Sequence, residues 1–140
     1  QREVAERIVS PPGSKRFGIL SVLLQAFHEV KLEMRVKPGS FAPPPRVESA
    51  VLRLQPLVQP ALSWQERAGF IALVKNVFNE RRKVLRNTLK KFYALDAAGL
   101  ERMANQSGVD LGARPEALPV SAFVRLLHAL PAATSSGSES

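Results

Sequence analysis

The stretch that decides the fold runs from Phe41 to Leu54 and reads FAPPPRVESAVLRL. Its three consecutive prolines, Pro43–Pro45, restrict φ and remove backbone donors, which predicts a stiff, extended loop and excludes a helix interior or a central strand. After the loop, Ala50, Leu52 and Leu54 recur at every second position. This period of two places their side chains on one face and predicts a strand.

A second alternating run precedes the prolines, at residues 31–37, with Leu32, Met34 and Val36 predicted on one face. The unit is therefore predicted to be a strand, a rigid loop and a second strand. Such a loop would hold Phe41 with little conformational entropy left to lose, as a pocket for a planar ligand such as a nucleobase requires. The alternative interpretation is a plain hairpin whose Phe41 ring packs into the core.

The segments before the hairpin predict an α/β arrangement. Residues 2–9 pattern as a buried element, a strand turning into a helix, and Phe17–Glu29 patterns as an apolar helix that lies against a sheet. The order helix, strand, long loop, strand is typical of the end of an open α/β sheet whose last two strands are antiparallel. Residues 55–60 carry spaced prolines without charge, which predicts a linker.

After the linker the pattern is helical, so the predicted fold class is α/β and then all-α. The first of four predicted helices carries an apolar stripe formed by Phe70, Leu73, Val74, Val77 and Phe78. The four helices are Trp64 to about Asn79 with Ser63 and Glu66 as a capping box, about Arg81 to Phe92, Ala97–Gln106 between Asp96 and Gly108, and Ala122–Leu130 capped by Ser121. The polar tail, residues 132–140, is predicted to be disordered.

Composition restricts the chemistry of the chain. The 140 residues include no cysteine, so disulfides and thiolate metal sites are excluded, and the two histidines, His28 and His128, are too far apart in the sequence to predict a zinc site. We expect no metal. No apolar run is long enough to span a membrane. Because the chain opens on charged residues that already belong to a patterned element, we expect it to be the C-terminal part of a longer protein.

Positive charge concentrates in one segment of a chain whose net charge is +8. Between residues 75 and 91 seven cations accompany one acid, Glu80. A helix over this segment would turn Leu85, Leu89 and Phe92 inward, and it would turn outward Lys83, Arg86, Asn87 and Lys90. Repulsion among the cations favours a polyanion such as RNA as partner. A solvated face and an anionic membrane surface are the alternatives.

The ordered string Phe-x-Pro-Pro-Pro-Arg-Val-x-Ser-Ala-Val resembles the rRNA adenine N6-dimethyltransferases, the dimethyladenosine transferase family that modifies small-subunit rRNA. Further segments resemble the same family in the same order, and the resemblance covers roughly residues 1–130. They are Gln1–Ile8, Gly13–Val22, Arg81–Lys90 and Arg114–Glu116. Phe17 departs from the tyrosine usual in the family, which removes a hydroxyl, and Arg46 replaces a commoner lysine with the charge kept.

The resemblance implies the architecture and the site residues. Residues 1–56 would be the C-terminal part of a Rossmann-like methyltransferase domain with antiparallel last strands, and residues 57–131 a small helical RNA-binding domain. One wall of the pocket for the target base would be formed by Phe41, Pro43, Pro44 and Pro45, with Phe41 stacked on a flipped adenine. The expected RNA-binding residues are Lys15, Arg46, Lys75, Arg81, Arg82, Lys83, Arg86, Lys90 and Lys91.

The resemblance also implies the activity and its partners. The full-length protein would dimethylate two adjacent adenines in a hairpin loop of small-subunit (16S-type) rRNA with S-adenosylmethionine, as a step of small-subunit biogenesis. The family's Gly-rich turn and Asn-Leu-Pro-Tyr motif do not occur in these 140 residues, so we expect no catalytic or cofactor-binding residue on this chain. The expected partner is small-subunit rRNA in a pre-30S particle, and the protein is expected to be a cytoplasmic monomer.

Two alternatives to this activity stay open. One is a non-catalytic RNA-binding or ribosome-assembly module. The other is an adenine methyltransferase of large-subunit rRNA of the macrolide-resistance type.

Overall fold

The computed structural model describes residues 1–36 and 48–131. Within these residues the chain forms six α-helices, a two-stranded sheet and two short 3₁₀ turns, Trp64–Glu66 and Pro115–Ala117. In chain order the elements are α1 (Arg2–Val9), α2 (Ile19–Phe27), β1 (His28–Val36), β2 (Ser49–Pro56), α3 (Arg67–Asn79), α4 (Leu85–Tyr93), α5 (Ala97–Ser107) and α6 (Val120–Ala129). The fold is thus mostly helical around one antiparallel hairpin.

Helix α1 corrects one expectation, because residues 2–9 form a helix throughout rather than a strand turning into a helix. Ala5 and Ile8, three positions apart, form its buried side. Arg2 and Glu6 pair at 3.1 Å over one helical turn, which supports the helix from outside. Helix α2 is shorter than predicted, since Gly18 precedes its first residue and β1 already begins at His28.

The hairpin forms as predicted, but its first strand contains an irregularity. Leu32 pairs with Leu52, whereas Met34 pairs with Val51, so the register shifts by one residue between them. Paired residues share a face, and Val51 lies on the face opposite to Leu52. Met34 and Val36 therefore lie on the face opposite to Leu32, which corrects the prediction that all three share one face, and Met34 is 56% exposed.

The helical part follows its capping signals closely. Ser63 donates its backbone N–H to Glu66 Oε1 at 2.8 Å, and Asp96 Oδ1 accepts from the backbone N–H of Gly99 at 2.7 Å. Gly108 ends α5 in the left-handed region, with φ at 70°. Helix α6 differs from the prediction: it begins at Val120 after Pro119, so Ser121 lies inside the first turn and does not cap it.

The largest correction concerns α4, which begins at Leu85 and not near Arg81. Glu80 leaves the helical region with φ at −121° and ψ at 46°, so α3 ends and residues 81–84 form a turn. The backbone N–H of Lys83 donates to the Glu80 carbonyl at 2.9 Å within that turn. Phe92, predicted to point inward, is 42% exposed, and the Lys91 ammonium lies 5.1 Å from its ring centroid.

One hydrophobic core joins the helices on both sides of the hairpin. The predicted stripe of α3 is buried in full. The Phe17 ring meets Phe78 edge-on at 6.1 Å between centroids, and Phe78 stacks on Phe123 at 5.6 Å. The boundary predicted between residues 56 and 57 stays a prediction, and the core contains side chains from both sides of it. The predicted disordered tail, residues 132–140, lies outside the described residues.

Candidate nucleic-acid interface

The basic segment between residues 75 and 91 lies on the end of α3, the turn 81–84 and α4. On α4, the side chains of Arg86, Asn87 and Lys90 are exposed and line one wall of a groove of about 390 Å³, whose other wall belongs to α5. Leu85 and Leu89 are fully buried on the opposite side of the same helix. The amphipathic character predicted for this helix is therefore confirmed for residues 85–90, whereas Phe92 at its end is exposed.

The acid Glu80 partly neutralises this segment, because it pairs with two of its seven cations. Its Oε1 accepts from Lys91 Nζ at 2.7 Å, and its Oε2 lies 3.1 Å from Lys83 Nζ. The Glu80 side chain is only 17% exposed, so it lies between the turn and α4 and ties them together. The hydrogen bond from Lys91, followed by the bond from Lys83, lowers the pKa of the Glu80 carboxyl below its usual value of 4.5.

Arg81 has a structural role in addition to its charge. Its Nη2 donates to the Phe17 carbonyl at 3.0 Å and lies 3.7 Å from Glu116 Oε2. Its guanidinium carbon lies 5.8 Å from the Phe78 ring centroid. Arg81 therefore holds the segment before α2 against the end of α3, and its guanidinium is partly engaged inside the protein.

Four cations of the basic segment remain available to a ligand. Their side chains are exposed, and none makes an ion pair with a carboxylate in residues 1–36 or 48–131. They are Lys75 on α3, Arg82 in the turn, and Arg86 and Lys90 on α4. Unpaired, solvated cations of this kind are the groups that contact phosphates and release counterions on binding.

The remaining predicted site residues fall into two groups. Lys15 is exposed in the turn between α1 and α2, away from the basic segment in sequence. Arg46, Phe41 and the three prolines Pro43–Pro45 lie outside the described residues, so the predicted base pocket and the packed-ring alternative both stay predictions.

The sequence did not predict a cluster of ion pairs that lies at the end of the hairpin next to positions 37–47. Glu6 on α1 pairs with Arg2, with Arg16 and with Arg35 of β1, the last at 3.5 Å. These pairs, the Arg2 hydrogen bond first, lower the pKa of the Glu6 carboxyl below 4.5. Arg2 also pairs with Glu48, and its backbone N–H donates to the Glu48 carbonyl at 2.9 Å.

Helix α1 is thus attached to Arg35 before positions 37–47 and to Glu48 directly after them. The four-residue spacing of Arg2 and Glu6 was visible in the sequence as a helical pair. Their pairs with Glu48 and Arg35 were not, because those partners are distant in sequence.

The part of the chain that the structure describes contains no cluster of metal-ligating side chains. No three His, Cys, Asp or Glu side chains come together in this part of the chain. Nor does any helix there have the length and apolarity that crossing a membrane requires. What the basic segment offers is a positively charged surface above the buried Leu85 and Leu89, to which a polyanion can bind.

Comparison with solved structures defines the class of fold. The chain superimposes on a dimethyladenosine transferase from Plasmodium falciparum with a TM-score of 0.71 and 22% identity, over 90% of this chain and 53% of that one. It superimposes on the 23S rRNA methyltransferase ErmE with a TM-score of 0.62 and 23% identity, over 93% of this chain and 52% of that one. The fold is therefore that of about half of such a transferase chain.

Sequence comparison establishes the family. The model described as "Ribosomal RNA adenine dimethylase" matches residues 1–130, and the chain belongs to this family. The "Ribosomal RNA small subunit methyltransferase A" of Syntrophotalea carbinolica is 44% identical over 126 residues, which are 90% of this chain and 47% of that protein. The protein of the same description from Anaeromyxobacter dehalogenans is 47% identical over 132 residues, 93% of this chain and 45% of its own length. The chain spans about half the length of these relatives.

Proposed function

We propose that the chain is the RNA-binding half of an rRNA adenine N6-dimethyltransferase that dimethylates two adjacent adenines in a hairpin loop of small-subunit rRNA. Family membership and the description shared by the relatives support this activity. The observation that carries the RNA-binding role is the group of unpaired cations Arg82, Arg86 and Lys90, exposed above a buried leucine face. The protein would act as a cytoplasmic monomer on the rRNA of a pre-30S particle during small-subunit biogenesis.

In this proposal the two parts of the chain have different tasks. Residues 1–56 end a Rossmann-like sheet, of which β1 and β2 are the antiparallel last strands, and residues 57–131 grip the rRNA. Phe41, braced by Pro43–Pro45, stacks on the flipped adenine. S-adenosylmethionine supplies the methyl group and is held by residues outside these 140, because the family's Gly-rich turn and Asn-Leu-Pro-Tyr motif do not occur in them. No metal takes part.

The contribution of this chain to catalysis is positional. Methyl transfer to an adenine amine needs the amine in line with the donor, and a fixed RNA helps to supply that alignment. Arg86 and Lys90 hold phosphates, while Arg81 and Glu80 keep the turn and α4 in place. The phosphate contacts set the register of the rRNA but carry no information about the bases. Selection of the adenine is therefore left to the pocket.

The RNA-binding role is tested by Arg82→Glu combined with Arg86→Glu in the complete protein. We expect weaker binding of the rRNA hairpin. The slope of log affinity against log salt concentration should also be shallower by about two, one for each lost phosphate contact. The matched control is Lys31→Glu with Arg53→Glu, a cross-strand pair of exposed cations with the same change in charge. Equal losses in the two variants, or no loss in either, would refute a specific role for the turn and α4.

The pocket role of Phe41 has its own test in the complete protein. Phe41→Ala should lower the turnover of methylation by more than it lowers RNA affinity, because a stacked base is fixed only after the RNA has bound. Phe41→Tyr keeps the ring and should retain most of the turnover. A loss of affinity with turnover unchanged would exclude Phe41 from the pocket.

The alternative substrate, large-subunit rRNA, is distinguished by the RNA that is offered. The likeness to ErmE concerns the fold, whereas the relatives with more than 40% identity are described as small-subunit enzymes. Methylation of a small-subunit hairpin and none of a large-subunit hairpin is the expected result. If the complete protein methylates neither RNA and still binds the small-subunit hairpin, the non-catalytic assembly module is the better description.

A further inference from the structure

The groove between α4 and α5 has two walls of opposite character. Its volume is about 390 Å³. The α4 wall consists of Arg86, Asn87 and Lys90, and the α5 wall of Ala97, Leu100, Glu101 and Ala104. One wall is therefore cationic and polar, and the other is mostly apolar with a single carboxylate.

The α4 wall has the composition of a phosphate-binding surface. Arg86 and Lys90 are four residues apart and so lie on the same side of the helix, with Asn87 beside them. All three are exposed, and within residues 1–36 and 48–131 neither cation is paired with a carboxylate. An arginine can bind a phosphate with two donors, and a neighbouring lysine adds a second charge.

The α5 wall offers an apolar surface for a base ring and one hydrogen-bond acceptor, the Glu101 carboxylate. Leu100 is buried beneath the groove, and the two alanines leave its floor open. Glu101 is exposed and makes no ion pair with Arg86 or Lys90 across the groove, although both are cations that line the same cavity. The charges on the two walls are therefore not neutralised by each other, and the groove of about 390 Å³ lies between them.

We propose that this groove binds one unpaired nucleotide of an RNA, with its phosphate on Arg86 and Lys90 and its base on the apolar floor of α5. The proposal rests on the proposed RNA-binding function and adds a site to it. Glu101 repels phosphate, which sets the direction of the nucleotide across the groove. The carboxylate accepts a hydrogen bond from an exocyclic amine, so adenine, cytosine and guanine are preferred over uracil, which has carbonyl oxygens in place of an amine.

The test measures the binding of three RNA hairpins to the complete protein by fluorescence anisotropy. The hairpins share one sequence without adjacent adenines, and they carry a single bulged adenosine, a single bulged uridine or no bulge. We expect the adenosine bulge to bind about tenfold more tightly than either of the others, the size of one well-made base contact. Equal affinity for the three hairpins would overturn the proposal while leaving phosphate-mediated RNA binding intact.

Two variants test whether the preference for the bulged adenosine arises in this groove. Charge alone predicts that Glu101→Ala tightens the binding of all three hairpins by one common factor, because an acid is removed from a basic surface. If Glu101 contacts the base as proposed, the tenfold preference for the bulged adenosine should instead fall to nearly one in Glu101→Ala. Ala97→Leu fills the exposed mouth of the groove without changing charge, and it should reduce the preference while leaving the unbulged hairpin unaffected.

The control is Glu29→Ala, another exposed glutamate, which lies on β1 outside the groove and should keep the preference. A preference that survives both groove variants arises elsewhere on the protein and refutes the site. Absence of binding to all three hairpins would instead count against the proposed RNA-binding function itself, so the two failures are distinguishable. Circular dichroism spectra that match those of the unsubstituted protein establish that each variant is folded.

Discussion

Replacing Phe17 by alanine should destabilise the whole chain, because this ring connects the segment before α2 with the helical core. Phe17 is 0% exposed and meets Phe78 edge-on, and Phe78 stacks on Phe123 of α6. The backbone carbonyl of Phe17 also accepts from Arg81. Removal of the ring leaves a cavity between elements that come from both ends of the chain.

The expected cost follows from the burial of the ring. Truncation of a fully buried phenylalanine typically costs about 3 to 5 kcal/mol, from lost transfer free energy and from the cavity. A domain of this size has a free energy of unfolding of roughly 5 to 15 kcal/mol, so the variant would lose a large part of its stability. With a urea dependence of about 2 kcal/mol per molar, the unfolding midpoint should fall by about 2 M.

The assay is urea unfolding followed by two probes. Trp64, the only tryptophan, reports on the start of the helical part, and circular dichroism reports on all helices. Both midpoints should fall together, since the ring belongs to one continuous core. Phe17→Leu, which keeps most of the volume, should lose only about 1 kcal/mol. A fall of the Trp64 midpoint by less than about 0.5 M in Phe17→Ala would refute the coupling between the two parts.

Three further outcomes follow from individual residues. Glu80→Gln should weaken rRNA binding although it adds positive charge, because the turn that carries Arg82 loses the carboxylate that ties it to α4; tighter binding in a titration would contradict this role. The pKa values of Glu80 and Glu6 are lowered in the folded protein, so their stabilisation is present above pH 4.5 and is lost as the pH falls below it, which acid unfolding should show as a decline that begins there. Gly108→Ala should cost about 1 kcal/mol in urea unfolding because φ is positive, and Gly108→Asn should cost less; equal costs would count against the backbone explanation.

Local signals in the sequence predicted the helical part well. The capping box of Ser63 and Glu66, the Asp96 cap and the left-handed Gly108 are short-range features that a few neighbouring residues determine. The buried stripe of α3 follows from a helical period alone. These elements needed no knowledge of the tertiary structure.

Features that depend on partners distant in sequence were predicted less well. The register shift after Leu32 arises where β1 meets β2, and the alternation of β1 alone does not show it. The turn at residues 81–84, where a helix was predicted, brings Glu80 into contact with Lys91, eleven positions away, which periodicity cannot reveal. Phe92 continues an apolar period but lies beyond the edge of the core, where only the packing of neighbouring helices decides its exposure.

The attachment of helix α1 to both strands of the hairpin has a consequence for variation among homologues. Arg35 and Glu48, which stand just outside positions 37–47, are each bound to a residue of that helix. Neither of these ion pairs involves positions 37–47. Homologues that keep the two pairs are therefore expected to hold this end of the strands in place even where the sequence of those positions differs.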